Sequence, residues 1–197
     1  LKIYLIWIVI YLPYSIYDYT RDGFSIMNII SYIRDLVLNG SYYHLWFLPA
    51  LMTATLIVCF VYSKKGLMTT LKLSLILYIF GYFINVYAPV WEQIPVLSFF
   101  YAFFTKVFTT ARNGFFFGPL FVSIGLLLSK TRRLPVKVNG IGFGISFILL
   151  VIEVTIYRFT GILRDLTSMY LSLIPAVYFF VNWMLTIKKP YKDTYFN

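Results

Sequence analysis

The fold is decided by residues 45–90, which read LWFLPALMTATLIVCFVYSKKGLMTTLKLSLILYIFGYFINVYAPV. Two apolar runs, Leu45–Tyr62 and Leu71–Val90, flank the basic turn Ser63-Lys64-Lys65-Gly66. Each run holds close to the ~20 apolar residues that a helix needs to cross a bilayer. The pattern therefore predicts two membrane-spanning helices that meet at the lysines.

The composition extends this prediction to the whole chain. Of the 197 residues, 60% are hydrophobic and 12% are charged, whereas a soluble domain has about 25% charged residues. The net charge of +10 comes from basic residues clustered between apolar runs, where the positive-inside rule places them. We therefore expect no nucleic-acid partner. With a single Cys59 and a single His44, we also expect no disulfide framework and no metal site.

Four further apolar runs predict spans at Ile3–Tyr17, Phe115–Leu128, Ile141–Tyr157 and Met169–Ile187. Segment Phe24–Leu38 differs from them, because Ser25, Asn28 and Asp35 recur at helical spacing. This pattern predicts an amphipathic helix in the membrane interface, with its polar face toward water. Asn39-Gly40 would end it.

The basic clusters also predict the topology. The clusters at Lys64-Lys65, Lys130–Lys137 and Lys188–Lys192 can all be cytoplasmic only if Pro95–Thr110 makes no full crossing. We therefore predict that Pro95–Thr110 is a re-entrant or interfacial, non-helical segment on the outer side. The prediction is an all-α polytopic bundle of about six spans in a bacterial inner membrane. It has a membrane domain at 1–187, a tail at 188–197 and both ends in the cytoplasm.

Four polar residues are candidates for binding a substrate: His44, Arg112, Asn113 and Glu153. His44 also fits an aromatic belt at the membrane surface. Arg112 either anchors to lipid headgroups or binds a carboxylate or phosphate with its planar donors. Glu153 lies within a span, so it is either functional or paired with a group from another helix.

Other small and polar residues predict helix packing. Asn85 and Asn182 are expected to form hydrogen bonds between helices, and Gly140 and Gly144 form a small-xxx-small pair. The glycines at 140–144 do not form a dinucleotide-binding fingerprint, since no strand precedes them and their spacing is wrong.

Two stretches carry a resemblance to a known family. His44-Leu45-Trp46-Phe47-Leu48-Pro49-Ala50-Leu51 and Ala111-Arg112-Asn113-Gly114-Phe115-Phe116-Phe117-Gly118 resemble membrane acyltransferase family 3. Within that family, the chain looks most like the membrane domain of the serine racemases of vancomycin-resistance clusters. The resemblance implies transfer of an acyl group, such as acetyl, from acyl-CoA to a cell-surface glycan or similar acceptor. It implies no permanently bound cofactor.

The chain departs from this family in one respect. The family's catalytic histidine lies on its first helix, before an Arg-x-x-Arg motif, and His44 and Arg132-Arg133 match neither feature. The resemblance therefore implies the C-terminal half of the domain, inactive alone, with the preceding helices and membrane lipid as partners. Two other hypotheses about the function stay open. One is a module that transports a small amino acid such as serine, or anchors a cytoplasmic racemase, and the other is a purely structural membrane subunit.

Overall fold

The computed structural model describes residues 2–21, 23, 25–40, 45–160 and 169–187, and they form two compact units. The first unit holds the described residues up to Ser123 together with Met169, and the second holds residues 124–160 and 170–187. The described residues form eight helices: α1 (Lys2–Thr20), α2 (Ile26–Leu38), α3 (Phe47–Val86), α4 (Ala88–Gln93), α5 (Pro95–Phe108), α6 (Gly118–Lys130), α7 (Val136–Thr160) and α8 (Leu173–Ile187). The predicted all-α class is confirmed.

Among the described residues, two helices are long and apolar enough to cross a membrane. They are α3 and α7, with mean hydropathies of 1.7 and 2.0, whereas α5, α6 and α8 are apolar but shorter. α1 covers the predicted span Ile3–Tyr17 but does not meet the same criterion, because its tyrosines, Lys2 and Asp18 lower its hydropathy. The helices therefore support a membrane protein without establishing the predicted six spans.

The long helix α3 consists of two helical halves joined at Gly66. The φ of 76° and ψ of 178° at Gly66 lie in a region that essentially only glycine adopts. No atom of the described residues stands within 4 Å of the place where a Cβ would be, so backbone conformation rather than space requires glycine here. The break falls at the predicted turn and separates residues 47–65 from residues 67–86.

The start of α6 and the loop before it pack closely on the first half of α3. A Cβ on Gly118 would lie 2.6 Å from the Cβ of Ala54, and one on Gly114 would lie 2.7 Å from the carbonyl oxygen of Ala50. Both distances are too short for any side chain. Small residues in both segments therefore let the two backbones approach each other.

The same segment also contacts the second half of α3, but there the two chains run in opposite directions. Phe116 lies against Gly81, where an added Cβ would be 2.8 Å from the Cβ of Phe116. Further along, the buried hydroxyls of Ser123 and Ser74 form a hydrogen bond of 2.9 Å. The segment that leads into α6 therefore runs parallel to the first half of α3 and antiparallel to the second half. The two halves of α3 are thus antiparallel to each other. This arrangement agrees with the predicted pair of spans.

Most of the segment Pro95–Thr110 is helical, contrary to the prediction, because α5 runs from Pro95 to Phe108. Pro95 occupies the first turn of α5, where its fixed φ favours a helix and its missing N–H is not needed. The 14 residues of α5 extend about 21 Å, which is less than the ~30 Å hydrocarbon core of a bilayer. Its length is therefore that of a partial crossing.

The polar face of α2 packs on α1 and does not face away from it, which also differs from the prediction. The hydroxyl of Tyr19 donates to Asp35 Oδ2 at 2.5 Å, and the amide of Asn28 donates to the carbonyl oxygen of Tyr19 at 2.5 Å. The apolar residues of α2 are exposed instead: Ile26, Met27, Ile30, Ile33 and Val37. The predicted end at Asn39-Gly40 is confirmed, and Phe24 lies outside the described residues.

Asp35 is the centre of this polar contact. Arg34 forms a salt bridge to it at 3.0 Å, and the Asn39 amide donates to it at 2.7 Å. Burial raises the pKa of Asp35, but hydrogen bonds from Arg34, Tyr19 and Asn39 outweigh burial and hold this pKa below its usual range. Burial, reinforced by the Asp35 carboxylate, raises the pKa of Tyr19. The carboxylate is therefore the favoured form of Asp35 here.

In the second unit, α7 and α8 pack along each other. A Cβ on Gly142 would lie 2.6 Å from the Phe179 ring, whereas one on Gly140 would be 3.9 Å from Trp183 and one on Gly144 would meet nothing within 4 Å. The glycine that allows close packing is thus Gly142, and the predicted pair of Gly140 and Gly144 is wrong. The spacing of Gly140 and Gly144 in the sequence cannot show which glycine of α7 faces the Phe179 ring.

Asn182 of α8 is 1% exposed, and its amide has no hydrogen-bond partner within the part of the chain that the structure describes. The hydrogen bond between helices that was predicted for Asn182 is therefore not present among these residues.

Candidate functional site

The sequence candidates Arg112 and Asn113 lie in a loop, residues 109–117, that connects α5 to α6. The loop begins with an unusual backbone turn at Thr109, whose φ is 59° and ψ is −48°. The N–H of Thr110 donates to the carbonyl oxygen of Phe108 at 2.5 Å, which closes a three-residue turn of a rare and strained kind. A β-branched residue at positive φ is an outlier, so the surrounding contacts must hold this turn in place.

Asn85, in the second half of α3, supplies such contacts. Its Oδ1 accepts a hydrogen bond from the N–H of Ala111 at 3.2 Å, and its Nδ2 donates to the hydroxyl of Thr110 at 3.4 Å. The same hydroxyl accepts from the N–H of Arg112 at 3.2 Å. The predicted hydrogen bonding of Asn85 is therefore found, but its partner is this loop and not another helix.

Asn113 stabilises the end of the loop. Its side chain is fully buried, and its Oδ1 accepts from the N–H groups of Phe115 and Phe116 at 2.8 and 3.2 Å. Its Nδ2 donates to the carbonyl oxygen of Thr110 at 2.8 Å. Asn113 thus caps the turn that leads into α6, and its role in binding a substrate stays a prediction.

Arg112 stacks on an aromatic ring. Its guanidinium carbon lies 4.7 Å from the ring centroid of Trp46, the residue that precedes α3. Such a contact contributes about 0.5–2 kcal/mol, more when water is excluded, and it keeps the guanidinium over the ring. Arg112 is half-buried. The flat donor set of a stacked guanidinium suits a carboxylate or phosphate.

Glu153 belongs to the second unit, and its partners are two backbone N–H groups and the hydroxyl of Tyr157, which donates to Oε1 at 3.3 Å. Its two carboxylate oxygens accept hydrogen bonds from the N–H groups of Leu171 and Ser172 at 2.9 and 2.8 Å. These N–H groups lie at the start of α8, where a negative charge is favourable because of the helix dipole. The predicted partner from another helix is therefore the backbone that leads into α8. This contact gives Glu153 a structural role.

The opposite end of α8 has a matching contact. The guanidinium of Arg133 donates to the carbonyl oxygen of Leu185, in the last turn of that helix. A cation near a helix C-terminus is favourable for the same electrostatic reason. The packing of α8 on α7 is thus secured by charged side chains at both ends.

Of the four candidates, Arg112 and Asn113 lie side by side in the first unit and Glu153 lies in the second unit. His44 lies outside the described residues, as does the tail at 188–197. Sequence reasoning missed Trp46 and Thr110 as parts of the site. The capping role of Asn113 did have a sequence signal, because Asn113-Gly114 before an apolar run is typical of a helix start. Among the described residues, no group of three His, Cys, Asp or Glu side chains could hold a metal ion.

No family model matches the chain, and no solved structure matches it significantly. The chain is 30% identical over 185 residues to an amino-acid racemase of Enterococcus faecalis. It is 33% identical over 182 residues to a serine/alanine racemase of Enterococcus gallinarum. These alignments cover 93% and 92% of the chain but 25% of each racemase. The chain therefore spans about a quarter of the length of the curated relatives that it matches.

The similarity amounts to distant homology with the membrane domain of these racemases. It does not support the acyltransferase activity implied by the family resemblance.

Proposed function

We propose that this chain is part of the membrane module of a racemase-type protein and that it binds a small amino acid, such as serine, during uptake into the cell. The observation that carries the proposal is the homology to a serine/alanine racemase, which extends over 92% of the chain. A membrane module on the same protein as a racemase is suited to admit an amino acid from outside the cell.

The geometry around Arg112 supports binding of a carboxylate. Every α-amino acid carries one, and a guanidinium recognises it through two parallel hydrogen bonds. Trp46 holds the guanidinium over its ring, while Asn85, Thr110 and Asn113 fix the loop. The strained turn at Thr109 also favours a functional loop, because strain of this kind concentrates at binding sites.

Uptake of radiolabelled serine tests the proposal. Cells with low background uptake would express the full-length protein, its Arg112→Lys variant or its Arg132→Lys variant. We expect Arg112→Lys to reduce uptake about tenfold or more, because lysine cannot form the paired hydrogen bonds, which are worth roughly 1.5–3 kcal/mol. Arg132 is exposed in a basic loop, so the same substitution there should leave uptake unchanged.

Three results would overturn the proposal. Normal uptake by Arg112→Lys, at normal membrane levels, would show that Arg112 does not bind the substrate. Transfer of labelled acetyl from acyl-CoA to cell-wall material, without any serine uptake by the unsubstituted protein, would instead favour the acyltransferase. If neither activity were found but the protein kept a racemase on the membrane, anchoring would be the remaining function.

A further inference from the structure

The end of α5 leaves one backbone carbonyl without its usual helical partner. The helical pattern of hydrogen bonds ends at Thr109, whose N–H donates to the carbonyl oxygen of Thr105 at 2.9 Å. In a continued helix, the N–H of Thr110 would donate to the carbonyl oxygen of Lys106. It donates instead to the carbonyl oxygen of Phe108 at 2.5 Å, within the strained turn that begins the loop. The turn therefore takes this N–H away from Lys106.

Arg34 of α2 supplies a donor to this carbonyl. Its Nη1 donates to the carbonyl oxygen of Lys106 at 2.9 Å, across 72 positions of sequence. The contact is favourable for two reasons, because the donor is charged and because a cation is stabilised at the negative end of a helix dipole. Arg34 thus takes the place that the N–H of Thr110 would have in a continued helix.

Asp35 orients the guanidinium of Arg34 for this contact. The Nε and Nη2 atoms of Arg34 donate to the two carboxylate oxygens of Asp35 at 3.0 Å each, which leaves Nη1 for Lys106. The side chains of Arg34 and Asp35 are only 28% and 16% exposed, and Asp35 is itself bonded to Tyr19 and Asn39. An ion pair with two parallel bonds and limited exposure holds a defined geometry, unlike most surface pairs.

We infer that Arg34 is a positioning residue, which keeps the loop 109–117 in the conformation that presents Arg112. If the N–H of Thr110 returned to the carbonyl oxygen of Lys106, the strained turn would open. Arg34 opposes this change, because it satisfies the carbonyl that the turn deprives of its helical donor. The placement of α2 thereby sets the affinity of the Arg112 site. The effect on affinity rests on the proposed function, whereas the effect on the loop does not.

Hydrogen exchange tests the effect on the loop. It would be measured by mass spectrometry on the full-length protein in lipid nanodiscs, without serine. We expect Arg34→Gln to speed the exchange of the amides in residues 109–117 about tenfold, because the bond from a charged donor is lost. Tyr19→Phe is the matched control. It removes another hydrogen bond to Asp35 but leaves Arg34 with both of its partners, so the exchange of the loop should not change.

Serine uptake tests the effect on affinity. Arg34→Gln should raise the KM for uptake about tenfold, because only a fraction of the molecules then holds the loop in its binding conformation. The maximal rate at equal membrane levels should change little, since saturating serine draws the loop back to that conformation. Adding Thr109→Gly to Arg34→Gln should restore most of the KM, because glycine adopts a positive φ without strain and the turn then needs less support.

Equal loop exchange in Arg34→Gln and Tyr19→Phe would overturn the inference, as would a raised KM that Thr109→Gly does not restore. Faster exchange with a normal KM would support the hold of Arg34 on the loop but overturn amino-acid binding at Arg112, so the two failures differ.

If Arg34→Gln does not reach the membrane, Arg34→Lys decides the matter. The compact ammonium group of lysine cannot reproduce the fork that bonds Asp35 and Lys106 together. Faster loop exchange in Arg34→Lys supports the inference, and unchanged exchange overturns it.

Discussion

At the scale of single residues, charged and amide side chains in this protein mostly contact backbone groups. Glu153 accepts from two N–H groups before α8, Arg133 donates to a carbonyl oxygen near its end, and Asn85 and Asn113 hold the loop that carries Arg112. Backbone groups at helix ends have no partner within the helix. In an apolar environment they therefore depend on such side chains.

Replacing Glu153 by glutamine should destabilise the second unit. Glutamine offers one acceptor atom for two N–H groups, so one of them loses its partner, which costs about 1–3 kcal/mol. We expect a lower Tm in detergent, measured by the loss of helical circular dichroism. Arg158→Gln, at an exposed position of the same helix, is the control. A Tm for Glu153→Gln equal to that of this control would show that the contact contributes nothing.

A pair of glycines in α7 gives a sharper comparison. Gly142→Ala would place a methyl group 2.6 Å from the Phe179 ring, while Gly144→Ala would meet nothing within 4 Å. Overpacking costs roughly 1–3 kcal/mol, whereas alanine alone favours a helix by up to about 1 kcal/mol. Gly142→Ala should thus lower the Tm and Gly144→Ala should raise it slightly. The opposite order would disprove the described packing of α8 on α7.

The sequence showed which charged and amide side chains would need hydrogen-bond partners, but it did not show which groups would be those partners. The position of Glu153 in a span indicated a partner from another helix, yet only the structure shows that this partner is backbone. The spacing of Gly140 and Gly144 suggested the wrong contact, because the position of the Phe179 ring depends on how α8 is placed. The stacking of Arg112 on Trp46 joins residues far apart in the sequence, so no local pattern contains it.

At the scale of elements, α1 and α2 are joined by the polar contact around Asp35. Because its pKa is lowered in the folded protein, the carboxylate contributes stability above its ordinary pKa of about 4. That stability is lost as the pH falls through the lowered value. Acid should therefore loosen α2 from α1.

Spin labels at Ile10 and Ile30, which are exposed on α1 and α2, would report this change by double electron–electron resonance after Cys59→Ser. We expect a narrow distance distribution at pH 7 and a progressively broader one as the pH falls below 4. Asp35→Asn should be broad at all these pH values, since the amide lacks the charge that Arg34 pairs with. A response to acid that is the same in Asp35→Asn would exclude Asp35 as its cause.

Element positions were largely predictable, because apolar runs and helix breakers are local features. The two runs around Gly66 became the two halves of α3, and Asn39-Gly40 ended α2. The separation of α2 into a polar and an apolar side was predicted, but the contact of its polar side with α1 was not. The helical periodicity of α2 separates its polar residues from its apolar ones, but it cannot show that Tyr19 of α1 contacts the polar side.

At the scale of the whole molecule, apolar surface dominates. Only 6% of the most apolar 18-residue stretch of α7 is buried inside the protein, and α2 exposes its apolar side. A soluble protein rarely exposes large apolar patches. Lipid, or further helices of a longer protein, would have to cover these surfaces.

Accessibility of single cysteines to a membrane-impermeant reagent tests the predicted topology in a Cys59→Ser background. We expect labelling from the cytoplasmic side at Ser63, Thr131 and Asp193, and from the outer side at Ser41 and Gln93. The basic clusters favour this orientation. If Gln93 and Thr131 were labelled from the same side, the short helix α5 would have to cross the bilayer.

The bend at Gly66 also bears on how the chain is synthesised. The two halves of α3 leave the ribosome one after the other, and the bend between them contains Lys64 and Lys65. Translocating a lysine through the bilayer centre costs roughly 2.5–3.5 kcal/mol on insertion scales. We therefore expect the translocon to release both halves together as a helical hairpin, with the bend left on the ribosome side. Gly66 would then affect the order of membrane insertion as well as the final shape.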